Sequence, residues 1–547
     1  MQDRTRVPRT LKIVIAIAIA FGIFFRFFHL DRKVYWFDEV YSTMRMAGYS
    51  IQEVDKALFQ NQIISAPTLQ NYQQPKPNST IADTIDVLIQ EDAKHPPLYY
   101  SLGHFWMRQF GSSIAVSRTL PAAISLFALP LMFALALELF SSYLVASLAT
   151  VAIALSPFDI LFAQTVRQYS LLTVIILASG LFLLRAMRLR RWQTWGWYTL
   201  TCAMGLYTHL FFGLTLLGHG VYVIGQQFIR LKTPTDRYRQ PRFFLPYLLA
   251  MTGSIWLYLP WILAFLLGGD RTFESSNWVK KSVGFVHLLK GWIFSFSSLF
   301  VDLDLGFHRS ATYILGLPFI ILIIIALDRV WKRNTYGVSG FVLTSILVPF
   351  LALALPDLIL GGQRSAIARY LICSFPGIQL AVAYLLGTYL LRRRIWQGIW
   401  AAILTASLVS GVVSAYSLTW WSKGVSYPNA TTASVLNGLD TPLVISDRGD
   451  DYLNQGNLIS LSYRLEPDVE LLLIEYDAID RGLASAPHLE DREVLFYSPS
   501  KRLRSEVEAK WGLLARINPH DMNLFRLEES QLGDRAVSSA MILHLLN

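Results

Sequence analysis

The sequence predicts an α-helical polytopic membrane protein that carries a small C-terminal α/β extracytoplasmic domain. Three observations lead there. Apolar runs of about 20 residues, each long enough to cross a bilayer, recur from Leu11 to Tyr416. The chain of 547 residues is 53% hydrophobic, has a mean hydropathy of +0.39 and is only 16% charged; soluble domains are nearer a quarter charged. Past Trp421 the composition turns polar, with charges of both signs and no spanning run. The expected division is a membrane domain over 1–420, with outer loops 31–112 and 268–310, and a soluble domain over 421–547.

The runs are read in order as about eleven helices. The first begins at Leu11 and is too long for a cleaved leader, and no small-residue cleavage site follows it. It reads as a retained helix, with Arg4, Arg6, Arg9 and Lys12 holding the N-terminus in the cytoplasm. Helix two is expected over 114–137. Helix three, 142–155, stops at Ser156-Pro157, and helix four, 171–184, ends in Arg185, Arg188, Arg190 and Arg191. Helices five and six form a hairpin around Tyr207-Thr208-His209 and lead to Arg230, Lys232, Arg237, Arg239 and Arg242. Helix seven, 244–267, opens an outer loop holding Asp270, Arg271, Glu274, Trp278, Asp302, Asp304 and His308. Helix eight returns to Arg329, Lys332 and Arg333. Helix nine ends at Pro356-Asp357, and Arg369-Tyr370 opens helix ten, which stops at Arg392-Arg393-Arg394. Helix eleven, 395–416, releases the tail outside.

In this arrangement every strongly basic short loop lands on one side, as the positive-inside rule requires. The net charge of +10 therefore needs no nucleic acid to explain it, and no nucleic-acid motif is present. Cys202 and Cys373 fall inside apolar runs, which argues against a disulfide framework. In the first outer loop, 41–58 reads as an amphipathic helix able to lie on the membrane surface. In the tail, 441–446, 469–474, 494–497 and 513–517 read as strands alternating with helices at 451–462 and 502–510. No GxGxxG or Walker pattern marks a nucleotide site. Asp447-Arg448-Gly449-Asp450-Asp451 reads as a turn with a helix cap.

The candidate chemistry lies on the outer face. Tyr35-Trp36-Phe37-Asp38-Glu39-Val40-Tyr41 follows the first helix and puts two adjacent carboxylates among interfacial aromatic residues. Ionisable groups at that depth are costly and invite a functional reading, although acids at a helix start are also favourable for structural reasons. His95, Arg167, Tyr169, His209, Arg364 and Arg369 reach the same face. A carboxylate there suits a general base acting on a hydroxyl, and the arginines suit a phosphate held by charge-assisted hydrogen bonds. Structural roles compete. Arg364 and Arg369 can anchor helix ends to lipid headgroups, Arg167 can pair with Asp159, His95 can serve a turn, and His209 reads as structural. The spacing of Asp302, Asp304 and His308 leaves a divalent metal open.

The order of motifs carries a resemblance. An Asp-Glu pair opens the first outer loop, His95-Pro96-Pro97-Leu98-Tyr99-Tyr100 closes it, and Arg118-Thr119-Leu120-Pro121-Ala122 follows. Ser156-Pro157-Phe158 and Arg167-Gln168-Tyr169-Ser170 come after helix three. Over roughly residues 10–420 the chain resembles the GT-C superfamily of membrane glycosyltransferases. It is most similar to the bacterial family 39 type, the group of protein O-mannosyltransferase-like enzymes and the lipid A aminoarabinose transferase. The resemblance implies an inverting enzyme that takes sugar from a polyprenyl-phosphate donor on the periplasmic face of a bacterial inner membrane. It implies Asp38 as catalytic base with Glu39 as second choice. Arg364 and Arg369 match by position where the family handles lipid phosphate, with Arg167 a further candidate there, and His95, Tyr99 and Tyr169 would contact substrate. The acceptor is a lipid, a glycan or a protein; no MIR-type insert supports protein in particular. A polysaccharide polymerase or ligase, a flippase of lipid-linked saccharides and a scaffold are the rival readings. The early Asp-Glu pair speaks against the first, and the lack of an internal repeat against the second.

Overall fold

The computed structural model describes residues 7–232, 243–267, 277–450, 454–484, 492–517 and 523–528. Arg4, Arg6, Arg237, Arg239, Arg242, Asp270, Arg271, Glu274 and Asp451 lie outside the described residues. The chain divides into two compact units. One comprises Met1–Leu30, Leu88–Gly103 and Ala115–Tyr416; the other comprises Asp31–Val87, His104–Ile114 and Ser417–Asn547.

The first unit is a helical membrane assembly. Among the described residues eight helices are long and apolar enough to span, or nine if one bent pair is a single span. The expected count of about eleven is not reached, for physical reasons. Trp192–Leu206 has only 15 residues, and Phe212–Lys232 carries His219, Gln226 and Gln227 along its length. Helix three continues past Ser156-Pro157 as Pro157–Ala163, bent by 55° from Tyr143–Leu155. Helix two is broken at Phe127 into Ile114–Leu126 and Ala128–Phe140. Helix seven, Phe244–Leu267, has the expected bounds. The second outer loop contains a helix the sequence reading left out, Phe285–Ser297.

The bend in helix three explains a buried charge in the first helix, Arg9–Phe27. Ending Tyr143–Leu155 leaves its last carbonyls without helical donors. Arg26, only 1% exposed, takes them up: Nη2 donates to the Ile153 carbonyl at 2.9 Å and Nη1 to that of Ala154. Nη1 also donates to the Gly22 carbonyl at 2.7 Å and Nε to Ser125 Oγ at 3.1 Å. The close approach is possible because position 22 is glycine; a Cβ there would lie 2.4 Å from the Ala154 carbonyl oxygen. Arg26→Met leaves these acceptors buried and unmet, so a loss of about 3 kcal/mol or more is expected. Thermal unfolding of the detergent-solubilised protein measures it.

The second unit is a three-layer α/β domain. Its six strands are β1 (Gln62–Ser65), β2 (Pro442–Asp447), β3 (Glu470–Ile474), β4 (Glu493–Tyr497), β5 (Leu514–Arg516) and β6 (Leu524–Leu527). They lie in the order β1-β3-β2-β4-β6-β5. The pairs β3–β2 and β2–β4 are parallel, and β1, β6 and β5 attach antiparallel. Central β2 is buried at every position, as expected of a strand covered on both faces. On one face Leu443, Ile445, Leu472, Ile474 and Phe496 pack with Leu483, Leu503 and Val507. On the other lies the helix Asn454–Ser462, buried throughout, which packs against Phe37–Ala47. The strands and helices expected in the tail are present within a residue or three of their predicted ends.

Two features of this unit depart from expectation, and a third, the turn at Asp447, forms as expected. β1 comes from the first outer loop and pairs with β3 in the register Gln62↔Leu473, so the sheet domain draws on 31–87 as well as the tail. The segment 41–58 is not one surface helix. Gly48 adopts φ 90° and ends Phe37–Ala47 before Ile51–Leu58 begins. Residues Glu39 to Ala47 are all buried, which excludes lying on a membrane with one face in water. Finally, the Asp447 turn closes internally: Asp447 Oδ1 accepts from the backbone N–H of Gly449 and of Ser500, the cap of Lys501–Lys510. Burial pushes the Asp447 carboxyl above its usual range.

Candidate functional site

The candidate residues fall into two sets, one in each unit. The membrane unit gathers His95, Arg167, Tyr169, His209 and Arg369. His95 sits between Asp92 and a diproline, and the backbone N–H of Leu98 donates to the Tyr207 carbonyl at 3.1 Å. That bond ties the motif to the hairpin carrying His209. Arg167 lies in the bend after Pro157–Ala163, and Tyr169 opens the helix Tyr169–Leu189.

Arg167 Nη2 is 2.9 Å from His95 Nε2. A guanidinium only donates, so Nε2 accepts and the ring proton sits on Nδ1. Nδ1 faces Asp92 Oδ2 at 3.0 Å. The result is a relay of carboxylate, imidazole and guanidinium that fixes the direction of Arg167, which is 5% exposed. Asp159, the alternative partner for Arg167, instead accepts from Gln379 Nε2 at 2.7 Å.

His209 completes the set. Its Nδ1 accepts the Phe211 N–H at 3.0 Å, so the neutral ring carries its proton on Nε2. Its ring lies 6.1 Å from that of Tyr169 and 5.0 Å from that of Phe211. The Phe211 ring meets the Tyr370 ring edge-on at 4.7 Å, and the Arg369 guanidinium sits over Tyr370 at 5.5 Å. Burial first, then the neighbouring His95, Arg167 and Arg369 side chains, push the His209 imidazole down to about 3. Two guanidinium groups thus lie near one neutral N–H donor, an arrangement suited to an anion. Protonating His209 opposes folding here, because the unfolded chain accepts the proton near pH 6.5 and the folded chain refuses it until about 3. Stability should therefore fall as pH drops through that window, and His209→Gln should flatten this component of a Tm-against-pH curve.

Arg364 is placed differently. Its Nη1 is 3.1 Å from Asp357 Oδ1, and Asp357 Oδ2 accepts the Ser365 N–H at 2.6 Å. Its charge is balanced within its own turn. Tyr99 is fully buried, 6.0 Å ring to ring from Tyr100, which lies 6.1 Å from His95.

The sheet unit holds the carboxylate pair, in the first turn of Phe37–Ala47. The two acids have opposite fates. Glu39 is fully buried; one of its oxygens, Oε2, accepts the Trp36 N–H at 3.0 Å and lies 2.8 Å from Lys423 Nζ, itself 1% exposed. Asp38 is half-buried. Of the two, Asp38 is the less buried, whereas Glu39 caps the helix and neutralises a lysine.

Among the described residues no three His, Cys, Asp or Glu side chains converge so that they could hold a metal ion. Asp302 Oδ1 instead accepts the Asp304 N–H at 3.2 Å. Asp92, Asp357 and Lys423 were not among the residues singled out as site members, and His209 was named on the outer face but read as structural. Only Asp92, three positions before His95, left a local trace; Lys423 left none.

No protein-family model and no curated protein matches the sequence. Several solved membrane-protein structures are similar. ArnT from Cupriavidus metallidurans bound to undecaprenyl phosphate is 12% identical, with 95% of this chain and 98% of that one covered and a TM-score of 0.39. The archaeal oligosaccharyltransferase AglB from Archaeoglobus fulgidus, in complex with an inhibitory peptide and a dolichol-phosphate, is 11% identical, with 96% and 76% covered and a TM-score of 0.48. The Archaeoglobus fulgidus oligosaccharyltransferase in complex with Zn and sulfate is 13% identical, with 88% and 68% covered and a TM-score of 0.46.

Proposed function

We propose that this protein is an inverting GT-C-type glycosyltransferase. It moves a sugar from a polyprenyl-phosphate carrier to an acceptor hydroxyl on a lipid, glycan or protein at the outer face of the membrane. The setting is a bacterial inner membrane, with the N-terminus cytoplasmic and the sheet unit periplasmic. The observation that carries this reading is the gathering of Arg167 and Arg369 around a neutral His209, with His95 and Tyr169 beside them. A lipid phosphate needs such a partner as it departs, because charge grows on its oxygen in the transition state.

The reaction is a single displacement. The acceptor oxygen forms a bond to the anomeric carbon while the bond from that carbon to the phosphate oxygen breaks. The electron pair leaves on the lipid phosphate. The acceptor proton passes to an Asp38 carboxylate oxygen. Arg167 and Arg369 offset the leaving charge, and the His95–Asp92 relay keeps Arg167 aimed. No nucleotide takes part.

Incubating purified full-length protein with radiolabelled polyprenyl-phosphate sugars and a crude membrane extract tests this. Label should move to the extract, with free polyprenyl phosphate released in equal amount. If no donor in the panel transfers label, the proposal fails, and translocation of lipid-linked sugars in proteoliposomes becomes the reading to test.

A further inference from the structure

We infer that Lys423, supplied by the tail, is a positioning residue for Asp38; this rests on the proposed role of Asp38 as base. The positions on either side of Asp38 are both held by one short segment, the turn Trp421–Ser426. On one side, Ser426 Oγ accepts the Phe37 N–H at 3.1 Å. On the other, Lys423 Nζ meets Glu39 Oε2 at 2.8 Å, and that oxygen also receives the Trp36 N–H. Trp36, Phe37 and Glu39, which flank Asp38, are thus all pinned.

The pinning extends into the sheet. Ser426 Oγ donates to Asn457 Oδ1 at 2.7 Å, Asn457 donates to the Tyr497 hydroxyl, and that hydroxyl donates to Asn429 Oδ1 at 2.8 Å. Tyr497 ends β4 and Asn457 sits mid-helix in Asn454–Ser462. The network is buried and polar throughout, the kind that specifies one geometry rather than adding much stability. A buried ion pair behaves likewise: its attraction is largely offset by desolvation, yet losing one partner strands the other. This arrangement acts on Asp38 through the backbone of the first helical turn. Its consequence is the angle at which the Asp38 carboxylate leaves the first helical turn, and small errors in such an angle are costly to a proton transfer.

Hydrogen exchange and transfer kinetics on full-length Lys423→Met and on the double variant Glu39→Gln/Lys423→Met test this. In Lys423→Met, amide exchange over residues 35–47 should rise about tenfold or more while 442–447 and 493–497 keep wild-type rates. The kcat should fall about tenfold or more with donor KM within about twofold, because orientation rather than binding is lost. The double variant has no stranded carboxylate, so its thermal stability should recover toward wild type, while kcat stays low because the Lys423 tether from Trp421–Ser426 to the Asp38 turn is still missing. Equal acceleration of exchange in the strands overturns the inference, since the pair then only holds the domain together. So does an unchanged kcat in Lys423→Met, or a double variant with wild-type kcat, which would make the stranded carboxylate and not the lost tether the cause. If wild type transfers no sugar, the proposed reaction fails, and the exchange measurement alone decides whether Lys423 holds the Asp38 turn.

Discussion

Asp38→Asn should reduce sugar transfer by about 10²- to 10⁴-fold, the usual contribution of a positioned general base. The change is isosteric and falls at a half-buried position in the first turn of Phe37–Ala47. Thermal unfolding should therefore stay close to wild type while kcat collapses. Glu39→Gln makes the contrast. It leaves Lys423, 1% exposed, as an uncompensated buried cation, and breaking such a pair costs about 3–5 kcal/mol. Its signature is a lowered Tm. Side-by-side transfer kinetics and unfolding of the two variants separate the roles. A loss of kcat at full stability in Glu39→Gln, with Asp38→Asn active, would exchange the two assignments.

The second large effect is expected at the guanidinium pair. Arg167→Ala and Arg369→Ala should each lower kcat by about 10²- to 10³-fold, the range for removing one donor aimed at developing charge. Arg167→Lys should recover little, because the ammonium cannot keep the fork geometry set by His95 Nε2 at 2.9 Å. Asp92→Asn should fall between, since it weakens the hold on the His95 tautomer without removing the charge. Single-turnover rates with a saturating donor are the measurement, because they separate phosphate departure from carrier binding. Wild-type rates in Arg167→Ala would remove the leaving-group role.

The membrane half of the fold was legible because its signal is local. A run such as Phe244–Leu267 announces its ends by hydropathy alone, and the tail strands do so by short apolar blocks between polar turns. What stayed hidden depends on distant partners. β1 is four residues, Gln62-Ile63-Ile64-Ser65, with two apolar side chains, and becomes a strand only because β3 offers an edge. Phe37–Ala47 looks half-polar, yet its polar side chains are buried against other polar groups, so amphipathic patterning misled.

The site divides the same way. His95, Arg167, Tyr169 and Arg369 were visible as polar residues at the ends of apolar runs, and they do converge. Arg364 was visible by the same rule, but Asp357, seven residues earlier, balances its charge. The assignment of Glu39 needed Lys423, 384 positions away. His209 read as structural because nothing in Tyr207-Thr208-His209 tells that two arginines and His95 will lie near it.

The pairing of β1 with β3 and of Glu39 with Lys423 sets a schedule for biosynthesis. Chains grow at about 5–20 residues per second, so the 384 positions between Glu39 and Lys423 take about 20–80 s to synthesise. Throughout that interval the segment bearing Asp38 has neither its lysine nor its sheet. A nascent or prematurely terminated chain can thread its helices through the bilayer and still hold its carboxylates unarranged. The Asp38 turn is ordered only when the tail arrives, so under the proposed reaction an unfinished chain would transfer no sugar.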